Sequence, residues 1–265
     1  MSKDLKWLLA CDPQIPYQDD RAINLWFQVM DWFKPDVVDL LGDISDQWCF
    51  SRFQEGTTKE FMKALPAETK VEEFLGHIKN EEAPVAEFYA EVRAKRPRAQ
   101  LFSALGNHDI RVFNYVDKHM PEIVEQVTPN SLWGLDDLGY DYIYYEDIPA
   151  HRFGDIYVHH GIAASAESGA SVKSDIGNLG VSLVRGHSHR LGTYFKTYEL
   201  RSETLRGYEI GHLSKVDSDG FKYSQVHNWQ QGFAVGMISG DNVHIQVVEI
   251  TPDYECWVAG KRFKA

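Results

Sequence analysis

Five short apolar runs in this chain each stop at polar residues. Lys6 to Ala10 ends at Cys11-Asp12, Asp36 to Leu41 at Gly42-Asp43, and Gln100 to Leu105 at Gly106-Asn107-His108-Asp109. Ile156 to His159 ends at His160-Gly161, and Val181 to Arg185 at Gly186-His187-Ser188-His189. Apolar runs this short read as buried strands. Polar residues just past them sit where open α/β sheets bind ligands, outside the carboxyl ends of the strands.

Between the first two runs, Arg21 to Phe33 puts Ile23, Trp26, Phe27 and Met30 on one helical face, with Asp19 and Asp20 ahead of it and Pro35 as a stop. Strand, helix, strand predicts a right-handed parallel crossover. The charged stretch 57–97 carries a helical stripe at Val71, Phe74, Leu75 and Ile78, and Pro66 and Pro84 are expected to break it into an inserted hairpin. A structural cap is its simplest role, and a substrate-selecting lid is the functional alternative. From Gly192 to the end, at about 192–265, the runs alternate and turn at Gly240-Asp241-Asn242, which predicts antiparallel strands in a second sheet. No repeat or linker marks a boundary, so residues 1–265 are expected to form one domain.

Composition excludes several classes. Of 265 residues 43% are hydrophobic and 25% charged, an ordinary globular balance rather than a disordered one. No apolar run is long enough for a membrane span, and Asp4 and Lys6 interrupt the start where a signal peptide would be apolar. A cytoplasmic protein is expected, in a bacterium or in a host cell if phage-encoded. Cys11, Cys49 and Cys256 are too few and scattered for a disulfide framework and read as buried thiols. A net charge of −12 opposes a non-specific nucleic-acid coat unless bound cations reverse the field locally.

The residues at the strand ends are hard oxygen and imidazole donors without a thiolate. Asp12, Gln14, Asp43, Asp46, Asn107, His108, His160, His187 and His189 suit Mn, Fe, Zn, Ni or Mg better than a structural zinc. By this chain's own frequencies, GNHD is expected by chance about 0.002 times, GHxH about 0.03 times and GDxxD about 0.1 times. Their joint occurrence therefore demands a chemical reading.

The order Asp12-Pro13-Gln14, Gly42-Asp43-Ile44-Ser45-Asp46, Gly106-Asn107-His108-Asp109, His160-Gly161 and Gly186-His187-Ser188-His189 resembles the calcineurin-like metallophosphoesterase superfamily. The run Asn228 to Phe233 looks similar to its phage and bacterial members. The resemblance implies an α/β fold, a four-layer α/β/β/α sandwich of two facing mixed sheets flanked by helices. It implies two divalent cations bridged by Asp43, with Asp12, Gln14 and His189 completing one site and Asn107, His160 and His187 the other. Two cations about 4 Å apart would clamp a phosphate and acidify a bridging water, whose hydroxide attacks phosphorus. His108 would face the phosphate, protonating the leaving oxygen or stabilising charge, oriented by Asp46 or Asp109.

Gln14 departs from the family pattern, in which a histidine is usual. An amide oxygen tunes the site toward Mn or Mg, so Mn is the expected ion. Arg111 and Arg190, and likewise Arg52 and Arg185, flank the motifs as candidate phosphate grips. Gly161 favours His160 over His159 as the ligand, and His77, His119, His151, His212, His227 and His244 read as structural or surface groups, with a place in the cleft lining as the alternative for His212. The aromatic run Tyr140, Tyr142, Tyr144 and Tyr145 reads as strand packing. The expected activity is hydrolysis of phosphate mono- or diesters, with a nucleotide or nucleic acid among the candidate substrates and no membrane partner. The alternatives are a nuclease acting on DNA or RNA, and a non-catalytic metal-bound scaffold for protein partners.

Overall fold

A computed structural model describes residues 4–47, 50, 70–147, 151–216 and 228–265 of the chain. Cys49, Arg52, His227 and the first part of the expected 57–97 insertion lie outside the described residues. The described elements form four layers. In one sheet, β1 (Leu5–Ala10), β2 (Val37–Leu40), β3 (Gln100–Ala104) and β4 (Tyr140–Ile143) pair in parallel. β10 (Gly232–Ser239) then lies antiparallel against β1, with β11 (Asn242–Glu249) beyond it. The facing sheet runs β5 (His151–Phe153), β6 (Ile156–His159), β7 (Ser182–Arg185), β9 (Glu203–Ile210), β8 (Leu191–Tyr198). Its inner three strands are parallel and its outer pairings antiparallel.

Each layer boundary is an apolar core. Between the sheets lie Trp7, Leu9, Val37, Val158, Val184 and Ile210, all fully buried. Outside the first sheet, α1 (Asp20–Phe33) and α2 (Lys70–Lys95) bury Leu25, Trp26, Met30, Phe74, Tyr89 and Val92. Outside the second, α5 (Ala170–Leu179) buries Val172 and Ile176 against Leu183 and Leu205. The sandwich is therefore as the motif resemblance implies. Among the described residues no helix is long and apolar enough to cross a membrane.

Local chemistry explains the helix ends. Asp19 caps α1 by accepting from the backbone N–H groups of Arg21 and Ala22, and Lys34 ends it in the left-handed region one residue before Pro35. Two expectations change. The strands after Leu191 are shared out: β8 and β9 complete the sheet of β6 and β7, β10 and β11 return to the first sheet, and only Glu255–Val258 and Lys261–Lys264 pair with each other as a separate antiparallel ribbon. Alternation along a strand reports which face is buried and not which neighbour it pairs with. The helix also runs through Pro84. Pro84 removes one donor, but the burial of Val85, Phe88 and Tyr89 just after it holds the backbone helical. Because β2 and β3 are parallel neighbours, the chain between them must cross over a face of the sheet, and α2 is part of that crossover. Over its described length it is a core layer and not an appendage.

α2 also reaches the strand ends. Glu82 is 3% exposed and accepts from Trp133 Nε1 at 2.7 Å and from Ser45 Oγ at 3.1 Å. Burial pushes its carboxyl up to about 7, with the hydrogen bonds offsetting only part of that. A raised carboxyl stabilises the fold in its neutral form. That contribution is complete below the ordinary value of 4.5 and is lost as pH rises toward about 7. Glu82→Gln removes the titration, so the variant should gain stability relative to wild type by up to about 3 kcal/mol between about pH 5 and pH 8. Urea unfolding at the two pH values measures this, and a pH-independent difference would show that the buried carboxyl does not titrate there.

Candidate metal centre

The topology alone brings the motifs together. β1, β2 and β3 are adjacent and parallel, so Asp12, Asp43 and Asn107-His108 emerge side by side from one edge of the first sheet. β6 and β7 are likewise adjacent and parallel, and they deliver His160 and the His187–His189 pair to the facing edge. The site is a seam between two sheets.

At that seam the backbone turns sharply. Asp12 (φ 53°), Gln14 (φ 50°), Asp43 (φ 50°), His187 (φ 67°) and His189 (φ 57°) all occupy the left-handed region, which is uncommon for residues with a Cβ. Cross-strand bonds hold them there: Asp12 N–H donates to Gly42 O at 3.0 Å, Gln14 N–H to Asp43 O at 3.0 Å, and His187 N–H to Asp12 Oδ2 at 2.9 Å. Two motif glycines permit the close approach. A Cβ on Gly106 would stand 2.2 Å from Asp43 Oδ1, and one on Gly186 would stand 2.5 Å from Asp12 Oδ2. Only glycine lets those loops lie against the carboxylates.

Two clusters result. In one, His189 Nε2 lies 3.1 Å from Asp12 Oδ1 and 3.4 Å from Gln14 Nε2. In the other, His160 Nε2 lies 3.3 Å from Asp43 Oδ2 and 3.2 Å from His187 Nδ1, while His160 Nδ1 is fixed 2.7 Å from Leu41 O. A hydrogen bond on the far ring nitrogen sets the tautomer that leaves Nε2 free to ligate. His159 faces elsewhere, with Nδ1 accepting from Gly161 N–H and Nε2 3.3 Å from Tyr145 O, and burial lowers it to about 4.

The donors fit a cation. Ligand atoms of Asp43, His160 and His187 lie within 4.8 Å of one another. Among the described residues, the buried oxygens Gln14 Oε1 and Asn107 Oδ1 have no hydrogen-bond partner. Turning the Gln14 amide about exchanges its oxygen and nitrogen with little change of shape, which would direct the oxygen at His189. The electrostatics agree. Burial raises Asp43, but His160 and His108 outweigh it and hold the carboxyl well below the usual range. Asp12 is lowered in the same way by His189. Burial would lower His160, but Asp43 lifts it to about 9, and burial together with His160 drives His187 to about 3. The two buried carboxylates thus demand positive charge, which a proton on His160 supplies and a divalent cation supplies better.

His108 stands apart from both clusters. Its Nδ1 is 2.9 Å from Asp46 Oδ1, its Nε2 is 3.9 Å from Asp43 Oδ2, and its side chain keeps 17% exposure. Burial lowers its pKa, but Asp43 and Asp46 together raise it above the ordinary value, favouring the imidazolium. Of the two carboxylates weighed as its partner, the structure places Asp46 there. Asp109 instead accepts the N–H groups of Ser45 and Gly106 at 2.8 and 2.7 Å and braces the loops, its own carboxyl raised to about 7 by burial and by Asp43.

The flanking arginines divide. Arg190 borders the cavity over the site and donates to Ala166 O and Ser188 O. Arg111 donates to Asp46 O at 2.7 Å, which steadies the partner of His108. Arg185 is no phosphate grip: it is fully buried, with Nη1 2.7 Å from Asp175 Oδ2 and Nε donating to Gly186 O. Asp175 in turn accepts from Ile162 N–H and Ala163 N–H, so this ion pair ties the loop after His160 to the strand before His187. The motif pattern did not reveal Asp175, Glu82 or Ser45 as supports, because acids and serines inside helices and loops carry no distinguishing spacing. His212, read as a structural histidine with the cleft as the alternative, is fully buried with its ring 5.2 Å from that of His189.

No family model matches the chain. The Gene 54 protein of Mycobacterium phage L5 is 25% identical over 265 residues, covering 94% of each chain. Among solved structures, vacuolar protein sorting 29 from Cryptosporidium parvum aligns over 100% of this chain and 97% of its own, with 14% identity and a TM-score of 0.48. Yfce, a phosphoesterase from E. coli, aligns over 98% and 99%, with 12% identity and a TM-score of 0.42. Structural likeness this distant says nothing about activity, and the functional reading stands on the geometry of the seam.

Proposed function

We propose that the chain is a metal-dependent phosphoesterase that hydrolyses phosphate mono- or diesters at a two-cation centre. One observation carries this reading: two oxygen-and-imidazole clusters, Asp12-Gln14-His189 and Asp43-His160-His187, meet at one seam with His108 beside Asp43. Asn107, whose buried Oδ1 has no hydrogen-bond partner among the described residues, would complete the second set, with Asp43 placed to be shared between the two sets. Cations held there supply Lewis-acid charge on the phosphate oxygens and lower the pKa of water.

The rest of the chemistry belongs to the chain. Asp12 and Asp43 would hold the cations and compensate their charge. His108, whose imidazolium Asp43 and Asp46 favour, lines the cavity and can donate a proton to the departing oxygen. Arg111 fixes Asp46, and Asp46 fixes the imidazole. No nucleophilic side chain is needed, so no covalent phosphoenzyme is expected. A purely non-catalytic scaffold would have no use for a paired and oriented His108.

His108→Ala should keep the metal content and lose turnover of bis-p-nitrophenyl phosphate by roughly 10²- to 10⁴-fold. The loss should be larger for an alkoxide leaving group, which needs the proton more. Equal losses for both leaving groups would move His108 from proton donor to charge stabiliser. An undiminished rate would remove it from the reaction.

Gln14 shapes the choice of ion. Its amide oxygen makes the Asp12 cluster poorer in imidazole than the usual histidine version, which favours Mn over Zn. Metal-free protein reloaded at equal free ion concentrations should be more active with Mn, and Gln14→His should narrow the ratio. A wild type at least as active with Zn, together with an unchanged ratio in the variant, contradicts this assignment.

A further inference from the structure

The turn that carries both histidines of the last motif leans on a buried acid from the next strand but one. His187 belongs to the Asp43 cluster and His189 to the Asp12 cluster, so Ser188 between them is covalently joined to a member of each. Ser188 is 3% exposed, and its hydroxyl donates to Glu209 Oε1 at 2.9 Å. Glu209 is fully buried near the end of β9, and its other oxygen, Oε2, accepts from the N–H of Gly169, the residue just ahead of α5. A carboxyl enclosed in this way is tolerated only where donors meet it. Here one donor comes from the histidine turn and the other from the start of a helix. Room for the contact is built in: Gly192 of β8 stands opposite Glu209, and a Cβ there would lie 2.4 Å from Gly169 N and 2.9 Å from Glu209 Oε2.

We propose that Glu209 is a positioning residue for both metal sets, acting through the Ser188 hydroxyl. The inference rests on the two-cation reading and assigns it a support that the ligand motifs do not contain. The turn needs one. His187 and His189 are both left-handed (φ 67° and 57°), and Ser188 N–H closes on Gly186 O at 2.8 Å, a tight and locally unfavourable path.

Backbone bonds fix the turn at its edges, where Gly186 N–H donates to His160 O and Gln230 N–H to His189 O. At the centre, Arg190 holds the Ser188 carbonyl, and Glu209 holds the hydroxyl. A shift of residue 188 moves both imidazoles, because each is one peptide bond away. Strand register joins this brace to the buried ion pair: Glu209 stands opposite Arg185, whose partner Asp175 lies in α5. The base and the tip of the turn are thus both referred to α5, one through Asp175 and the other through Gly169.

The test is metal binding by the full chain, which reads the brace independently of turnover. Metal-free protein titrated calorimetrically with manganese chloride should take up two ions in the wild type. Ser188→Ala should weaken both by about 10- to 100-fold, the range expected when an outer partner of a metal ligand is lost. Glu209→Gln can accept from Gly169 N–H through its amide oxygen and donate to Ser188 Oγ through its amide nitrogen, so it should bind both ions nearly as wild type does. Thermal unfolding of the metal-free proteins provides the control, since a merely structural pair would lower the melting temperature and leave the affinities of the folded protein unchanged. Ser188→Cys, similar in size but a weak donor, takes the place of Ser188→Ala if that variant fails to fold. Unchanged affinities in the Ser188 variant, weakening confined to one ion, or a Glu209→Gln as weak as Ser188→Ala would each overturn the brace while leaving the two-cation reading intact. A wild type that binds fewer than two ions overturns that reading and the brace with it.

Discussion

Asp12 and Asp43 are almost wholly buried at the end of an apolar sandwich, beside a core of Trp7, Leu9, Val158 and Val184. Ionised carboxylates in such surroundings cost several kcal/mol unless positive charge and hydrogen-bond donors meet them. The surrounding structure answers that demand. Backbone N–H groups of His187 and His108 donate to the two side chains, three imidazoles converge on them, and glycines at 106 and 186 admit the loops to contact. The left-handed turns at five ligand positions are maintained by the same contacts, a local cost that only a rigid pair of sheets can sustain.

Both helical layers reach this seam from opposite sides. From α2, Glu82 bonds Ser45, whose N–H is held by Asp109, whose other oxygen takes the N–H of Gly106. From α5, Asp175 pairs with Arg185 and holds the loop after His160. A buried ion pair of this kind adds little net stability, but removing one partner leaves a buried charge unmatched. Its value is in fixing His160 relative to His187. The proposed metal-binding constellation is therefore positioned by residues outside it.

The same arrangement bears on substrate choice. A chain of net charge −12 does not attract polyanions, so under the proposed function a phosphate group would be drawn in by cations at the seam and not by the general field.

Much of the site was legible because its chemistry is local. Each ligand immediately follows an apolar run, and a strand end, a glycine and a hard donor within four residues form a pattern that chance rarely produces. The pairing of the late strands was not legible, since alternation in Thr193 to Tyr198 or in Val243 to Val248 states burial and not partnership. Nor were Glu82, Asp175 and Arg185: their roles depend on neighbours 37, 12 and 10 residues away. Trp229 lies 40 residues from His189 in the chain yet packs on its ring. The sequence by itself determined which hard donor side chains would stand together at strand ends. Only the tertiary structure decided which carboxylate orients His108, which arginine is buried, and what lies beside the phosphate, because those are contacts between segments that meet only when two sheets close over a common core.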